Sequence, residues 1–237
     1  ASIAEAYSMA MDAFDLADQL QTPVFVMLDL DLGMNMWMSE TLEYPTKSFD
    51  RGKMLTEAKL RQLKAQWGRY ADVDDDGIPY RTVPGDGLPP YFTRGSGHNA
   101  KGQYSERGDD YGNNMDRLAK KFRTASRLVP PPEVELNADA KIGFIAYGTS
   151  HFSVAESRDQ LREEEKIETS YFRLRAYPFT ESLVVFIEKH DRVYVIEQNR
   201  DAQMLSLMRL ELTPELIARL RSAVSYTHLT LPTNREV

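Results

Sequence analysis

Ile3, Tyr7, Ala10, Phe14 and Ala17 recur at intervals of three and four, which places them on one stripe of a helix that should end near Gln21. After Thr22 and Pro23 the pattern turns continuous. Val24, Phe25, Val26, Met27 and Leu28 leave no polar position, as expected of a strand covered on both faces in a parallel sheet. A helix followed by a buried strand is half of an α/β unit. From Gly33 to Pro132 the chain is rich in Pro, Gly and charge, and only two stretches are helical in pattern. Thr56 is placed to cap a helix running to about Trp67, with Leu60, Leu63 and Trp67 on one face. Asp109 or Asp110 can open another, with Met115, Leu118, Phe122 and Ala125 along its stripe. The long loops around them predict a functional or interfacial insertion, closed by Pro130, Pro131 and Pro132.

Beyond residue 139 the pattern becomes regular. Residues 142–147 read as a strand, 153–165 as a helix, 167–174 as a strand, 181–190 as a helix and 193–197 as a third strand, with helices over 201–210 and 214–221. Thr180 is placed as a cap with Phe179 and Val184 as a hydrophobic staple, and Thr213, Pro214 and Glu215 combine a cap, a first-turn proline and an N-terminal acid. Strand–helix repeats joined by right-handed crossovers predict an α/β fold: a three-layer, mainly parallel domain.

The two ends are read differently. Residues 224–237 have no helical period, carry a Pro where a strand needs a donor, and resemble translated adapter tails of metagenome-derived reading frames, so a non-native tail is expected. Ala1 to Glu5 lead straight into a helical pattern with no initiator Met, which reads as an N-terminal truncation.

Composition narrows the function classes. The formal net charge is −7 and the basic residues form no stripe, so nucleic acid is not expected as a partner. With no cysteine, this chain has no disulfide framework, thiolate-held iron–sulfur cluster or Cys nucleophile. Apolar runs such as Val24 to Leu28 are far too short to span a membrane, and a cytoplasmic location is expected.

The candidate chemistry is dispersed. Asp29 and Asp31 should lie at the carboxyl end of the first strand, where open parallel sheets place ligands, or else cap the element that follows. Asp72, Asp74, Asp76 and Gly77 match the start of a calcium loop, but Val83 stands where the bidentate Glu belongs, which favours a polar turn. Gly95, Gly97 and Gly102, among Arg94, His98, Asn99 and Lys101, suggest an anion-friendly or interface loop without the spacing of a nucleotide motif. Gly148, Thr149, Ser150 and His151 sit between strand and helix, where backbone N–H groups can hold an anion or begin a cap. Glu197, Gln198 and Asn199 end the third strand at the same edge, with Asn199 placed as a cap.

Four longer stretches carry a resemblance: AYSMAMDAFDLADQLQTPVFVMLDLDLGMN, IPYRTVPGDGLPPYFTRGSGHNAKGQYSER, KIGFIAYGTSHFSVAESRDQL and RVYVIEQNRDAQM. Together they resemble the alpha subunit of 2-oxoacid:ferredoxin oxidoreductases, above all the 2-oxoglutarate enzyme. The resemblance implies that residues 1–45 are the end of a thiamine-enzyme pyrimidine-binding domain, 46–138 an insertion and 139–223 a transketolase C-terminal-like domain. It implies oxidative decarboxylation of a 2-oxoacid, transfer of the acyl group to coenzyme A, and ferredoxin as electron acceptor.

Thiamine diphosphate and magnesium would lie at an interface with a beta subunit carrying the iron–sulfur cluster, with none of these groups held by this chain alone. The family's activating Glu, its Tyr-Pro-Ile-Thr-Pro loop and its substrate-clamping Arg fall upstream of the matched stretches, so no catalytic residue is carried over and the chain alone is expected to be inactive. Asp31, Asn35, Arg94, His98 and Asn99 are the candidates for the cofactor edge or subunit interface. A non-catalytic α/β assembly module, or a pyruvate or branched-chain 2-oxoacid relative, is the alternative.

Overall fold

The computed structural model describes residues 2–93 and 95–224. In chain order its elements are α1 (Ile3–Leu20), α2 (Leu30–Met34), α3 (Glu57–Leu63), α4 (Gly108–Ala125), β1 (Glu133–Glu135), β2 (Ile142–Ala146), α5 (Ser150–Glu164), β3 (Thr169–Arg173), α6 (Glu181–Glu188), β4 (Arg192–Glu197), α7 (Gln203–Glu211), α8 (Pro214–Ile217) and β5 (Leu220–Val224). The chain divides into two compact units that alternate along the sequence. One, the sheet unit, takes the residues up to Ala6, Met27–Glu40 and the chain from Pro130 onward; the other takes Tyr7–Val26 and Thr41–Val129.

The sheet unit is the α/β fold expected from the alternation after residue 139. Its strands run in the order β1-β3-β2-β4-β5, all parallel except β1, which pairs antiparallel with β3. The register sets Ile145 between Phe172 and Val195, and these side chains meet Leu183, Phe186, Ile187, Leu205 and Met208 of α6 and α7 in the main core. The opposite face carries Ala146 and Tyr171, which pack with Val154 of α5. Helices cover both faces, so the domain has three layers. Burying each large core side chain contributes roughly 1.5–3 kcal/mol. Gly143 lets helix and sheet approach, because a Cβ there would lie 2.7 Å from the Phe186 ring.

Three expectations for this unit are corrected. The helix expected over 214–221 stops after one turn, and Leu220–Val224 becomes an edge strand beside β4. Leu216 and Leu220 are spaced as on a helix, but Leu220 is buried in the main core opposite Val193. β1 falls inside the expected insertion: Glu133, Val134 and Glu135 alternate polar and apolar, but the run is only three residues long and all three are exposed. Thr180 stands at the cap position of α6, yet its hydroxyl meets Ser182 Oγ at 2.6 Å rather than a backbone N–H. Val224 closes β5, and residues 225–237, read as a tail, lie outside the described residues.

The other unit has a small core of Leu16, Leu20, Ile78 and Ala125. The stripe read along α1 is therefore displaced: Phe14 is exposed, while Leu16 and Leu20 are buried. Val24 to Leu28 do not form the expected strand. No strand among the described residues pairs with them, and Phe25 and Met27 are more than four-fifths exposed. Continuous apolarity makes a buried strand only where neighbours supply both ladders. Thr56 caps α3 as expected, accepting from the Lys59 N–H at 3.2 Å.

α4 departs from the pattern most. Met115 and Phe122 are exposed, and the buried positions are Lys121 and Ala125. The reason is that this face docks a backbone turn, with Ala125 alone of its buried residues joining the small apolar core. Arg117 Nη1 donates to the Gly77 carbonyl at 3.2 Å, Thr124 Oγ1 to the Asp76 carbonyl at 2.7 Å, and a Cβ on Gly77 would lie 2.4 Å from the Lys121 nitrogen. The Asp-rich turn is held by lysines. Lys53 Nζ lies 2.8 Å from Asp74 and 2.7 Å from Asp76, Lys59 lies 3.6 Å from Asp74, and Lys120 lies 3.2 Å from Asp72 and pairs with Asp75. Ammonium groups stand where the sequence suggested a calcium ion.

Candidate functional site

In the sheet unit β2, β3 and β4 all point their carboxyl ends to one edge, where parallel α/β sheets place ligands. Three turns meet there: Tyr147 to Ser150 after β2, Arg173 to Arg175 after β3, and Glu197 to Asn199 after β4.

The first turn is filled from within the unit. Gly148 has φ of +60°, and a Cβ on it would come within 2.3 Å of the Asp29 carboxylate. That carboxylate accepts from the Thr149 N–H at 2.5 Å and from the Leu32 N–H at 3.0 Å, capping α2 as well. Burial pushes the Asp29 carboxyl up, but the Thr149 and Leu32 amides outweigh it and hold it below the usual carboxylate range. The anion-friendly backbone foreseen at Gly148-Thr149 therefore holds a carboxylate of its own chain. A short relay continues: Gln198 Nε2 donates to Thr149 Oγ1 at 3.1 Å, Thr149 Oγ1 to Asp31 at 3.3 Å, and Asn35 Nδ2 to Asp31 at 3.4 Å. The Asp31 carbonyl accepts from Trp37 Nε1 at 2.8 Å, and the Trp37 ring stacks on Phe152.

Glu197 is 1% exposed and satisfies four donors. Asn199 Nδ2 reaches it at 2.8 Å, the Met204 and Leu205 N–H groups at 2.7 and 3.0 Å, and the Tyr147 hydroxyl at 3.2 Å. It thereby caps the first turn of α7 from the preceding strand, while Asn199 Oδ1 accepts from the Gln203 N–H at 3.1 Å. Burial first, and then the Glu197 charge, push the Tyr147 hydroxyl up to about 12.

At the end of β3, Arg173 forms a fork with Glu5 at 2.8 and 2.9 Å and donates Nε to Glu133 at 2.8 Å. Arg175 adds a third contact to Glu5 at 2.8 Å. His151 Nδ1 meets the Tyr171 hydroxyl at 3.1 Å, and burial together with the Arg173 charge lowers its proton affinity. Among the described residues the arrangement is a set of satisfied hydrogen bonds and ion pairs, without a Ser or Cys nucleophile held against a base.

No family model matches the chain. It is 27% identical over 212 residues to 2-oxoacid:ferredoxin oxidoreductase 2, subunit alpha, of Aeropyrum pernix, covering 86% of this chain and 32% of that one. It is 25% identical over 245 residues to the 2-oxoglutarate synthase subunit KorA of Methanothermobacter thermautotrophicus, covering 99% of this chain and 62% of the relative. With the KorA subunit of Methanocaldococcus jannaschii the identity is 28% over 199 residues, or 84% of this chain and 50% of the relative. This chain is similar to the alpha subunits of 2-oxoacid:ferredoxin oxidoreductases. A solved 2-oxoglutarate:ferredoxin oxidoreductase from Magnetococcus marinus, with 2-oxoglutarate, coenzyme A and succinyl-CoA bound, shares the fold at a TM-score of 0.73 and 19% identity, over 90% of this chain and 36% of that one. The chain thus spans between 32% and 62% of the length of these relatives.

Of the residues singled out from the sequence, the structure joins Asp31 and Asn35 in the relay beside Thr149. His98 and Asn99 belong to the other unit, where His98 stacks on Tyr70 with ring centroids 3.7 Å apart and Asn99 holds its own turn through Lys101 and Gln103. Arg94 lies outside the described residues. Sequence reasoning missed the pairing of Glu5 with Arg173, 168 residues apart, and the burial of Glu197. A Glu in the last position of an apolar strand was the only signal for the second.

The described residues do not fit a magnesium–diphosphate group. Asp29 and Glu197 are consumed by backbone and side-chain donors, and no three His, Asp or Glu side chains among the described residues converge on a point where a metal ion could sit. No described helix is long and apolar enough to cross a membrane.

Proposed function

We propose that the chain is part of the alpha subunit of a thiamine-diphosphate-dependent enzyme that oxidatively decarboxylates 2-oxoglutarate to succinyl-CoA and CO2, with ferredoxin as electron acceptor. In this reading residues 1–45 belong to a pyrimidine-binding domain and 139–223 to a transketolase C-terminal-like domain. A beta subunit holds thiamine diphosphate, magnesium and the iron–sulfur cluster. The carboxyl edge, with Asp31 and Asn35, is a wall near the cofactor that positions and docks without reacting. The chain alone is inactive.

The observation that carries this reading is that one fold and one set of relatives point the same way: the three-layer sheet resembles a 2-oxoglutarate:ferredoxin oxidoreductase, and two relatives bear the name 2-oxoglutarate synthase. The satisfied carboxyl edge supports the positioning role, because groups already bonded internally are poor reagents and good scaffolds.

The test uses the whole alpha subunit containing this chain, co-purified with its beta partner. CoA-dependent reduction of methyl viologen or ferredoxin is measured with 2-oxoglutarate, pyruvate and a branched 2-oxoacid. The expected result is turnover with 2-oxoglutarate preferred. A pure, folded complex inactive on all three would favour a non-catalytic assembly module, and preference for pyruvate would move the assignment to a related oxidoreductase.

A further inference from the structure

The second unit holds a group of cations whose charge nothing above balances, although Arg117 also donates Nη1 to the Gly77 carbonyl at 3.2 Å. Arg69 and Arg117 both stand over Tyr70, their guanidinium carbons 5.1 and 5.6 Å from its ring centroid, and Arg69 also lies 4.9 Å from the Tyr91 ring. His98 stacks on Tyr70 at 3.7 Å. Lys121 belongs with them: it is 6% exposed, follows Arg117 by one helical turn of α4, and among the described residues meets the Gln21 carbonyl at 3.4 Å and the Phe122 ring at 5.9 Å. None of the three has an ion pair among the described residues; the acid nearest in effect, Asp72, is bound by Lys120.

Orphaned donors mark the same group. Among the described residues the Nε of Arg69 and the Nε of Arg117 are buried without a hydrogen-bond partner. Aromatic faces compensate a cation partly, but they offer no acceptor in the guanidinium plane. Arginine cannot shed its proton, so the cost of partly burying two neighbouring guanidinium groups persists at any working pH. Lysine can, and burial followed by the Arg117 and Arg69 charges lowers Lys121 to about 8. The two guanidinium groups lack acceptors, and one carrying negative charge would meet their charge as well as their N–H groups.

We propose that Arg69, Arg117 and Lys121 form a binding site for a phosphate-type oxyanion beside Tyr70. Several cations and several in-plane N–H donors suit an anion with more than one negative charge and several oxygens better than a lone carboxylate. The oxyanion is either free phosphate or the phosphoryl end of a larger ligand. The inference is independent of the reaction proposed above.

The experiment is calorimetric titration of the full chain, in phosphate-free buffer at pH 8, with inorganic phosphate, with adenosine diphosphate and with adenosine. Saturable binding of phosphate without tighter binding of the diphosphate identifies a free-ion site. Diphosphate binding at least tenfold tighter than phosphate, with none for adenosine, identifies a phosphoryl end. Either result is expected to be lost by at least tenfold in Arg117→Gln and in Lys121→Met. Arg69→Lys keeps the charge but not the fork, and is expected to lose affinity while folding normally by circular dichroism. Titration in two buffers of different ionisation enthalpy should show proton uptake by Lys121 on binding. Absence of binding to the folded wild-type chain at millimolar phosphate and diphosphate, or binding unchanged in the folded Arg69→Lys and Lys121→Met variants, would overturn the proposal.

Discussion

The Asp29 carboxylate sits 2.5 Å from the backbone nitrogen of Thr149, 120 residues further along the chain. The contact ties the α2 segment to the turn after β2, and Gly148 makes it possible by combining a left-handed φ with an open side toward Asp29.

Gly148→Ala should therefore destabilise the sheet unit by about 2–3 kcal/mol, from left-handed backbone strain of about 1–2 kcal/mol plus displacement of Asp29. Asp29→Ala removes a cap and should cost about 1 kcal/mol. The double variant should be more stable than the sum of the single effects predicts, since the backbone strain and the lost cap remain but the clash is gone. Urea unfolding of the four proteins measures the cycle; strict additivity would show that the close approach carries no energy.

The same pair marks the limit of what the sequence reveals. Period and capping residues located β2, β3, β4 and the helices α5 to α7, because each element there buries a face that its own residues define. They failed at Val24 to Leu28, where the apolar run lacks neighbours to complete a ladder, and along α4, where the buried face carries Arg117, Lys121 and Thr124 to meet the backbone of an Asp turn. Neither failure concerns propensity: for the apolar run no described strand supplies a ladder, and for α4 the deciding partner lies at least 40 residues away in the chain. Asp29, Thr149 and Glu197 were visible as polar residues at strand ends, but their partners were not. A carboxylate that will be bonded internally looks the same in sequence as one that awaits a ligand.

Glu197 gives the sharpest stability test of the carboxyl edge. Glu197→Gln keeps the shape but turns N–H groups toward Asn199 and the α7 amides, so a loss of about 2–3 kcal/mol is expected, and more for Glu197→Ala, which leaves the Met204 and Leu205 amides unpaired. Tyr147→Phe should cost only about 1 kcal/mol. Because the Tyr147 hydroxyl is pushed up to about 12, it should stay protonated while exposed tyrosines ionise, which ultraviolet titration of the folded wild type against Tyr147→Phe detects. The stability its proton contributes is full below the ordinary tyrosine range and is lost as pH climbs toward 12.

The Asp72–Asp76 turn should ignore calcium. Lys53 already bridges Asp74 and Asp76, and the two carboxylates in turn raise its proton affinity against the opposing effect of burial. Millimolar calcium or its chelation should leave the melting temperature unchanged. Lys53→Met should destabilise the second unit by about 1–2 kcal/mol by leaving like charges together. A calcium-dependent rise in the wild-type melting temperature would contradict this assignment.

Lys121 predicts an unusual pH dependence. Its native proton affinity is lowered from the ordinary 10.5 to about 8, first by burial and then by Arg117 and Arg69. Between those two values the unfolded chain holds a proton that the folded chain has released, so folding becomes more favourable as pH rises. Below about 8 both states are protonated and the penalty is constant. From pH 7 to pH 9, in phosphate-free buffer, the contribution of this group should grow by about 1 kcal/mol. Other groups titrate over the same interval, so the quantity to measure is the difference between wild type and Lys121→Met in urea midpoints across it. That difference should change in favour of wild type as pH rises, because methionine has no proton to lose. A bound oxyanion would stabilise the ammonium form and flatten the trend, and repeating the series in phosphate therefore reads the proposed site through stability alone. A difference that stays constant with pH would mean that Lys121 keeps its proton in the fold throughout.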